Sequence, residues 1–199
     1  MLVPYRREHV PKYHTWMQDP WIRGEIVSPV MTASEPLSLE EEYDMQVSWR
    51  EDPKKCTFII LSKEGSEDEQ GGTTDVWSTR VFAMVGDVNL FFNDLDDPTL
   101  CEVEVMIAEE RWRRRGLAKE AVLMLMRYGL DNLGVTSFYC KIGDANVPSL
   151  QLFEKLGYVR YAYVEVFKET ELRFLGDEEG FASVRARTAH MKTSVCVAP

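Results

Sequence analysis

Between Cys101 and Leu133 the chain switches period without a break, and this stretch limits what the rest can fold into. Cys101 to Ile107 alternates apolar and polar residues at every second position, as a strand does. A loop from Ala108 to Arg115 then gathers four arginines, and Gly116 opens a long run with apolar residues at helical spacing. The order strand, basic turn, helix predicts an anion held at a helix mouth, where backbone N–H groups lack partners and the dipole favours negative charge. Gly116 and Ala118 would let a bound group come close to the backbone, and Arg111, Arg113, Arg114, Arg115 and Lys119 surround it with positive charge. A solvated basic turn remains the competing reading.

Two common phosphate sites are excluded. No Gly-Lys-Ser/Thr ends the turn, so it is not a Walker P-loop. The glycine spacing of a dinucleotide fold is absent, and the preceding strand alternates like an antiparallel one instead of being apolar throughout.

The other elements follow in order. Leu2 to Tyr5 reads as the stub of a strand cut short by the chain start, and Glu8 to Met17 as a helix with Pro11 near its beginning. Asp19 to Met31, with Pro20, Gly24 and Pro29, reads as a loop. Ser38-Leu39-Glu40-Glu41 is a capping-box pattern that starts a helix running to about Trp49. Cys56 to Leu61 is a strand, Ser62 to Thr79 a mobile loop, and Val81 to Phe92 the next strand, turned by Asn93 to Pro98 into a hairpin with Leu100 to Ile107. Beyond the Gly116 helix, stopped by Gly134, come a strand at Val135 to Ile142, a helix at Pro148 to Leu156 ended by Gly157, and two strands at Tyr158 to Phe167 and Glu171 to Leu175. Gly176 to Pro199 shows no period and is expected to be a flexible tail, leaving residues 1–175 as the domain.

At 199 residues and 45% hydrophobic composition the chain suits one globular domain. Its net charge of −10 excludes a general nucleic-acid binder and suits a cationic substrate. Cys56, Cys101, Cys140 and Cys196 form no CxxC pair, which argues against a zinc site or disulfide framework and for reduced thiols. The amino terminus lacks a signal-peptide apolar region and no run approaches the ~20 residues of a membrane span, so the expected address is cytoplasmic.

The turn Arg113 to Ala118 resembles the acetyl-CoA pyrophosphate signature of the GNAT superfamily of N-acetyltransferases, Arg/Gln-x-x-Gly-x-Gly/Ala between a strand and a helix. A second block is similar to that superfamily's late helix: Asn146-Val147-Pro148-Ser149, then Phe153, then Gly157-Tyr158. Val3-Pro4-Tyr5, Thr32 to Leu37, Met84 to Leu90 and Glu104 to Glu109 sharpen the likeness to its N-acetyltransferase 9-like branch.

The resemblance implies an α/β (α+β) fold: a mixed, mostly antiparallel, twisted sheet of about six to seven strands, its central strands splayed and helices on both faces. It implies acetyl-CoA as co-substrate and no metal. Val105, Met106 and Ile107 would bond the pantetheine arm, and Arg113, Arg114, Arg115, Gly116, Leu117 and Ala118 the pyrophosphate, with Asn146 and Ser149 near the sulfur. The acceptor it implies is a protein amine at a chain N-terminus, with tubulin the suggested partner.

An amine attacks a thioester only when neutral, and an α-amino group of pKa ~8 is neutral about a hundredfold more often at pH 7 than a lysine of ~10.4. That is worth ~3 kcal/mol of barrier, so a carboxylate working through water suffices as base. Glu102, Glu104 and Glu169 are the candidates; the first two share a strand face and read equally well as solvent-facing carboxylates. Many members of the superfamily place a tyrosine, as acid for the leaving thiolate, where this chain has Phe153. Ser149 is then the first substitute, with Tyr158, a water or unassisted departure behind it. Two alternatives stay open: a catalytically weak binding module of this fold attached to the cytoskeleton, and an acetyltransferase of small amines such as polyamines.

Overall fold

The computed structural model describes residues 1–22, 37–63, 80–174 and 176–194. The expected loops around Ile26 and from Glu64 to Thr79, the Thr32 to Pro36 part of one matching block, and Cys196 lie outside the described residues.

The strands are β1 (Leu2–Pro4), β2 (Lys55–Leu61), β3 (Met84–Phe91), β4 (Leu100–Ile107), β5 (Ser137–Gly143), β6 (Val159–Val164) and β7 (Glu169–Phe174). They form one seven-stranded sheet in the order β1-β2-β3-β4-β5-β7-β6. Every pairing is antiparallel except β4 with β5. The mixed, mostly antiparallel sheet expected from the sequence is therefore the one observed.

Among the described residues five α-helices cover it: α1 (Val10–Met17), α2 (Leu39–Glu51), α3 (Leu117–Asn132), α4 (Val147–Leu156) and α5 (Glu178–Arg187). Because strand residues alternate, the sheet has two chemically different faces. Val88, Leu90, Cys101, Val103, Phe138, Cys140 and Leu172 point to one, where they pack with Val122, Leu125 and Met126 of α3 and Leu150 and Phe153 of α4. Each of those α3 side chains is shut off from solvent, which stabilises the domain by ~2 kcal/mol apiece before entropy is counted. On the opposite face Val3 and Ile59 pack with Val10, Tyr13 and Trp16 of α1.

Helix starts follow the local chemistry. The Ser38 hydroxyl accepts from the Glu41 N–H at 3.3 Å while the Glu41 carboxylate accepts from the Ser38 N–H at 2.7 Å, completing the capping box. Gly157 closes α4 with a φ of 104°.

The segment expected to be a flexible tail contains α5. Asp177 accepts from the Gly180 N–H at 2.7 Å, and Arg185 reaches Asp131 of α3 at 3.3 Å. Val184 and Thr188 are buried. Val184 joins the main core and Phe181 packs against it, but the helix carries too few apolar positions for a hydrophobic period to reveal it.

Gly86 is fixed by crowding. A Cβ on Gly86 of β3 would lie 1.9 Å from the Met106 carbonyl oxygen of β4, with only backbone atoms to give way. Gly86→Ala is expected to cost about 3 kcal/mol or more in chemical denaturation, at the upper end for overpacking.

Candidate functional site

β4 and β5 run parallel but pair over three rungs only, Leu100 with Ser137, Cys101 with Phe138 and Glu102 with Tyr139. Past Glu102 the strands part, while β4 stays paired with β3 as far as Ile107. The edge of Val103 to Ile107 that faces β5 is thereby released into a fork. α3 and α4 both start beyond its open end, one following β4 and the other β5. This is the splay that the sequence resemblance implied, and it places Val105, Met106 and Ile107 along one arm.

The basic turn closes the β4 side. Arg114 and Gly116 both take positive φ, 59° and 84°, which curls the chain and presents successive N–H groups to one side. Gly116 is the N-cap of α3 and supplies no capping side chain. The first intrahelical bond at this end is Glu120 N–H to Gly116 C=O, so the N–H groups of Leu117, Ala118 and Lys119 precede the ladder. Among the described residues, no atom lies within 4 Å of where a Gly116 Cβ would sit. An open helix mouth with unused donors fits a pyrophosphate.

The arginines divide. The Arg113 guanidinium donates to the Ile107 carbonyl at 2.9 Å and the Ala108 carbonyl at 2.8 Å, and stacks 3.6 Å from the Trp21 ring centre. Its side chain is therefore a clamp on the end of β4 that sets the turn's position. Arg114 and Arg115 are exposed, Arg115 lying 4.9 Å from the Trp112 ring.

Across the fork, Asn146 caps α4. Its side-chain oxygen accepts from the Ser149 N–H at 3.3 Å, and Ser149 is half-buried in the first turn. Phe153 faces the core, edge-on to Tyr158 at 4.9 Å. The Tyr158 hydroxyl meets the Met126 sulfur at 3.6 Å, and complete burial pushes its pKa well up. The Tyr158 hydroxyl is thus engaged with a core sulfur. Ser149 is the hydroxyl that remains from the sequence-based candidates.

The carboxylates also separate. Glu102 is buried and accepts from the Tyr139 hydroxyl at 3.0 Å and the Asn93 amide at 3.3 Å, with the Lys141 ammonium at 3.6 Å. All three contacts fall on one oxygen, Oε2, and Glu102 closes the last rung of the fork. Glu104 stands two residues on, about 7 Å along the strand, where pairing with β5 has stopped. It is open to solvent through the fork, yet enough protein surrounds it that desolvation, then Glu102 and Asp87, push its pKa up to about 7 against the pull of Lys141. That is a base poised near working pH. Glu169 sits at the start of β7 opposite Gly143, half-buried, at the far rim.

Sequence reading missed Asp87 and Asn89, which lie on the same sheet face as Glu104 and are both buried. The signal was present: two polar residues, spaced by two, in a strand whose other residues are apolar. His9, wholly buried, accepts from the Arg6 N–H at 3.1 Å and belongs to the frame. An open groove between α4 and β6, lined by Leu150, Gln151, Tyr161 and Tyr163 among others, contains no residue of β4 or of the turn.

The acetyltransferase (GNAT) domain family matches residues 1–159. An N-acetyltransferase 9-like protein of Nematostella vectensis is 49% identical over 186 residues, spanning 94% of this chain and 86% of that protein. An alpha/beta-tubulin-N-acetyltransferase 9 of Homo sapiens is 46% identical over 193 residues, 96% of this chain and 87% of that one. Among solved structures, a spermidine N-acetyltransferase from Vibrio cholerae in complex with CoA and spermine shares the fold, with a TM-score of 0.66 at 16% identity over 88% of this chain and 95% of the other.

Proposed function

The chain belongs to the acetyltransferase (GNAT) domain family, and on that premise we propose that this acetyltransferase moves the acetyl group of acetyl-CoA to the α-amino group of a protein, with tubulin as the acceptor. The observation that carries the reading is the fork between β4 and β5, whose open end meets the uncapped mouth of α3. The choice of acceptor is supported by relatives named alpha/beta-tubulin-N-acetyltransferase 9.

In this assignment the pantetheine lies along Val105, Met106 and Ile107, and the pyrophosphate sits against Gly116, Leu117 and Ala118 with Arg114 and Arg115 alongside. Arg113 holds the turn in place through the end of β4. Asn146 and Ser149 flank the thioester.

The neutral amine attacks the thioester carbonyl carbon. Glu104 takes the proton released from nitrogen, directly or through one water, and the C–S bond breaks as the carbonyl reforms. The departing thiolate gains a proton, for which Ser149 is the nearest assigned donor and solvent the alternative. The net change is one amide formed and one thioester converted to a free thiol, the proton lost from nitrogen being matched by the one gained by sulfur.

No helix among the described residues is long and apolar enough to cross a membrane, and we assign the work to the cytoplasm, where tubulin is found. Competition in one vessel checks the acceptor class. A peptide with a free α-amine, an N-blocked peptide with a lysine, and spermidine are incubated with enzyme and acetyl-CoA, then analysed by mass spectrometry. The α-amine peptide should be acetylated at least tenfold faster, since its amine is neutral far more often. Preference for spermidine would move the reading to small amines.

A further inference from the structure

We propose that Asn89 is a positioning residue for the acetyl transfer: its side-chain oxygen receives the hydrogen bond of Glu104 once Glu104 has taken the proton from the amine, and Asp87 with Tyr13 fixes the amide for that role. This rests on Glu104 acting as base.

The geometry begins with register. Asn89 of β3 and Glu104 of β4 are direct cross-strand partners, so their Cβ atoms stand about 5 Å apart on one sheet face. Asp87 lies on the same face, two residues before Asn89. The Asn89 amide nitrogen donates to Asp87 Oδ2 at 2.8 Å. The Tyr13 hydroxyl of α1 donates to the same oxygen at 3.5 Å.

These bonds leave the amide no freedom of orientation. A carboxylate accepts only, so the nitrogen of Asn89 faces Asp87 and its oxygen faces away. That oxygen is buried and has no partner among the described residues. Thr57, the cross-strand neighbour on the other side, does not use it, because the Thr57 hydroxyl is itself without a hydrogen bond among those residues. A buried carbonyl oxygen without a donor costs free energy. The ionised form of Glu104 offers none, whereas the protonated form carries one O–H. Asn89 thus favours Glu104 after proton transfer over Glu104 before it.

The electrostatics agree. The groups facing Glu104 are Glu102 on its own strand, Asp87 on β3, Lys141 on β5 and Tyr13 on α1. Two of the three charges are negative and favour the protonated form. Asp87, pushed up to about 6 by burial and held there against the bonds from Asn89 and Tyr13, is still mainly ionised at pH 7 and keeps the amide oriented.

The test has a readout independent of turnover. The Glu104 carboxyl carbon is followed by NMR across pH in the full chain, in Asn89→Ala and in Asp87→Asn, beside pH profiles of kcat/KM. Removing the acceptor, or the carboxylate that orients it, is expected to lower the Glu104 midpoint and the acid limb together by about one pH unit. A uniform loss of activity with both midpoints unmoved in folded variants would overturn the proposal and leave Asn89 a packing residue. If instead Glu104→Gln keeps full activity while the NMR midpoint still moves in Asn89→Ala, the base assignment fails and with it the catalytic role of Asn89, although the contact stands.

Discussion

Glu104→Gln is expected to lower kcat by about 10²- to 10⁴-fold while leaving the fold and acetyl-CoA affinity intact, because glutamine keeps the shape and removes the proton acceptor. The reason to single out Glu104 is local. Desolvation and two neighbouring carboxylates push its pKa up to about 7, so it can both take and release a proton near neutral pH. Its folded pKa lies above the ordinary value, so the base form is lost as pH falls below about 7. In the native enzyme kcat/KM should therefore fall on the acid side along two overlapping limbs, one from Glu104 and one from an acceptor amine of pKa ~8. In Glu104→Gln only the amine's limb should remain. A loss below tenfold, with the limb near pH 7 retained, would pass the role to another group such as Glu169. Glu102 is the control: Tyr139, Asn93 and Lys141 already engage it, so Glu102→Gln should act mainly through stability.

Gly116→Val should abolish acetyl-CoA binding in the working range, raising Kd by about a hundredfold, or roughly 3 kcal/mol. Two effects add. A β-branched residue at a φ of 84° is strained by ~1–3 kcal/mol, so the turn shifts. The new side chain also enters open space in front of the N–H groups of Leu117 and Ala118. No atom of the described residues lies within 4 Å of the added Cβ, so the core under α3 should survive, and thermal unfolding should remain cooperative. Isothermal titration against the unaltered chain reads the loss directly. Gly116→Ala separates the contributions, since it keeps most of the backbone strain but adds little bulk.

The sequence carried the turn well because its chemistry is local. A glycine at positive φ, a small residue after it and a helix starting between them all fall within six positions of each other. It could not choose between Glu102 and Glu104, which share a face and differ only in standing before or after the point where β4 leaves β5. That point depends on pairing between strands far apart in sequence. Arg113 shows the same limit: the family resemblance put it with the phosphate ligands, and nothing in the sequence shows that its side chain meets Ile107, Ala108 and Trp21. Tyr158 gave no sign in sequence that its hydroxyl points to Met126. Asp87 and Asn89 stand out in the sequence as two polar residues in an apolar strand, but their link to each other and to Tyr13 of α1 depends on tertiary contact. α5 was hidden because its anchors on the core, Val184 and Phe181, are too few to mark a helical period, while a cap and an ion pair add to its hold.

Hydrogen exchange of the backbone amides, with and without acetyl-CoA, tests the central claim most directly, because it asks whether the fork and the helix mouth together are the binding site. Protection should rise at Val105, Met106 and Ile107 on β4 and at Leu117 and Ala118 at the start of α3, with little change along β6. Binding that leaves those amides unchanged, or that protects the groove between α4 and β6 instead, would contradict the account.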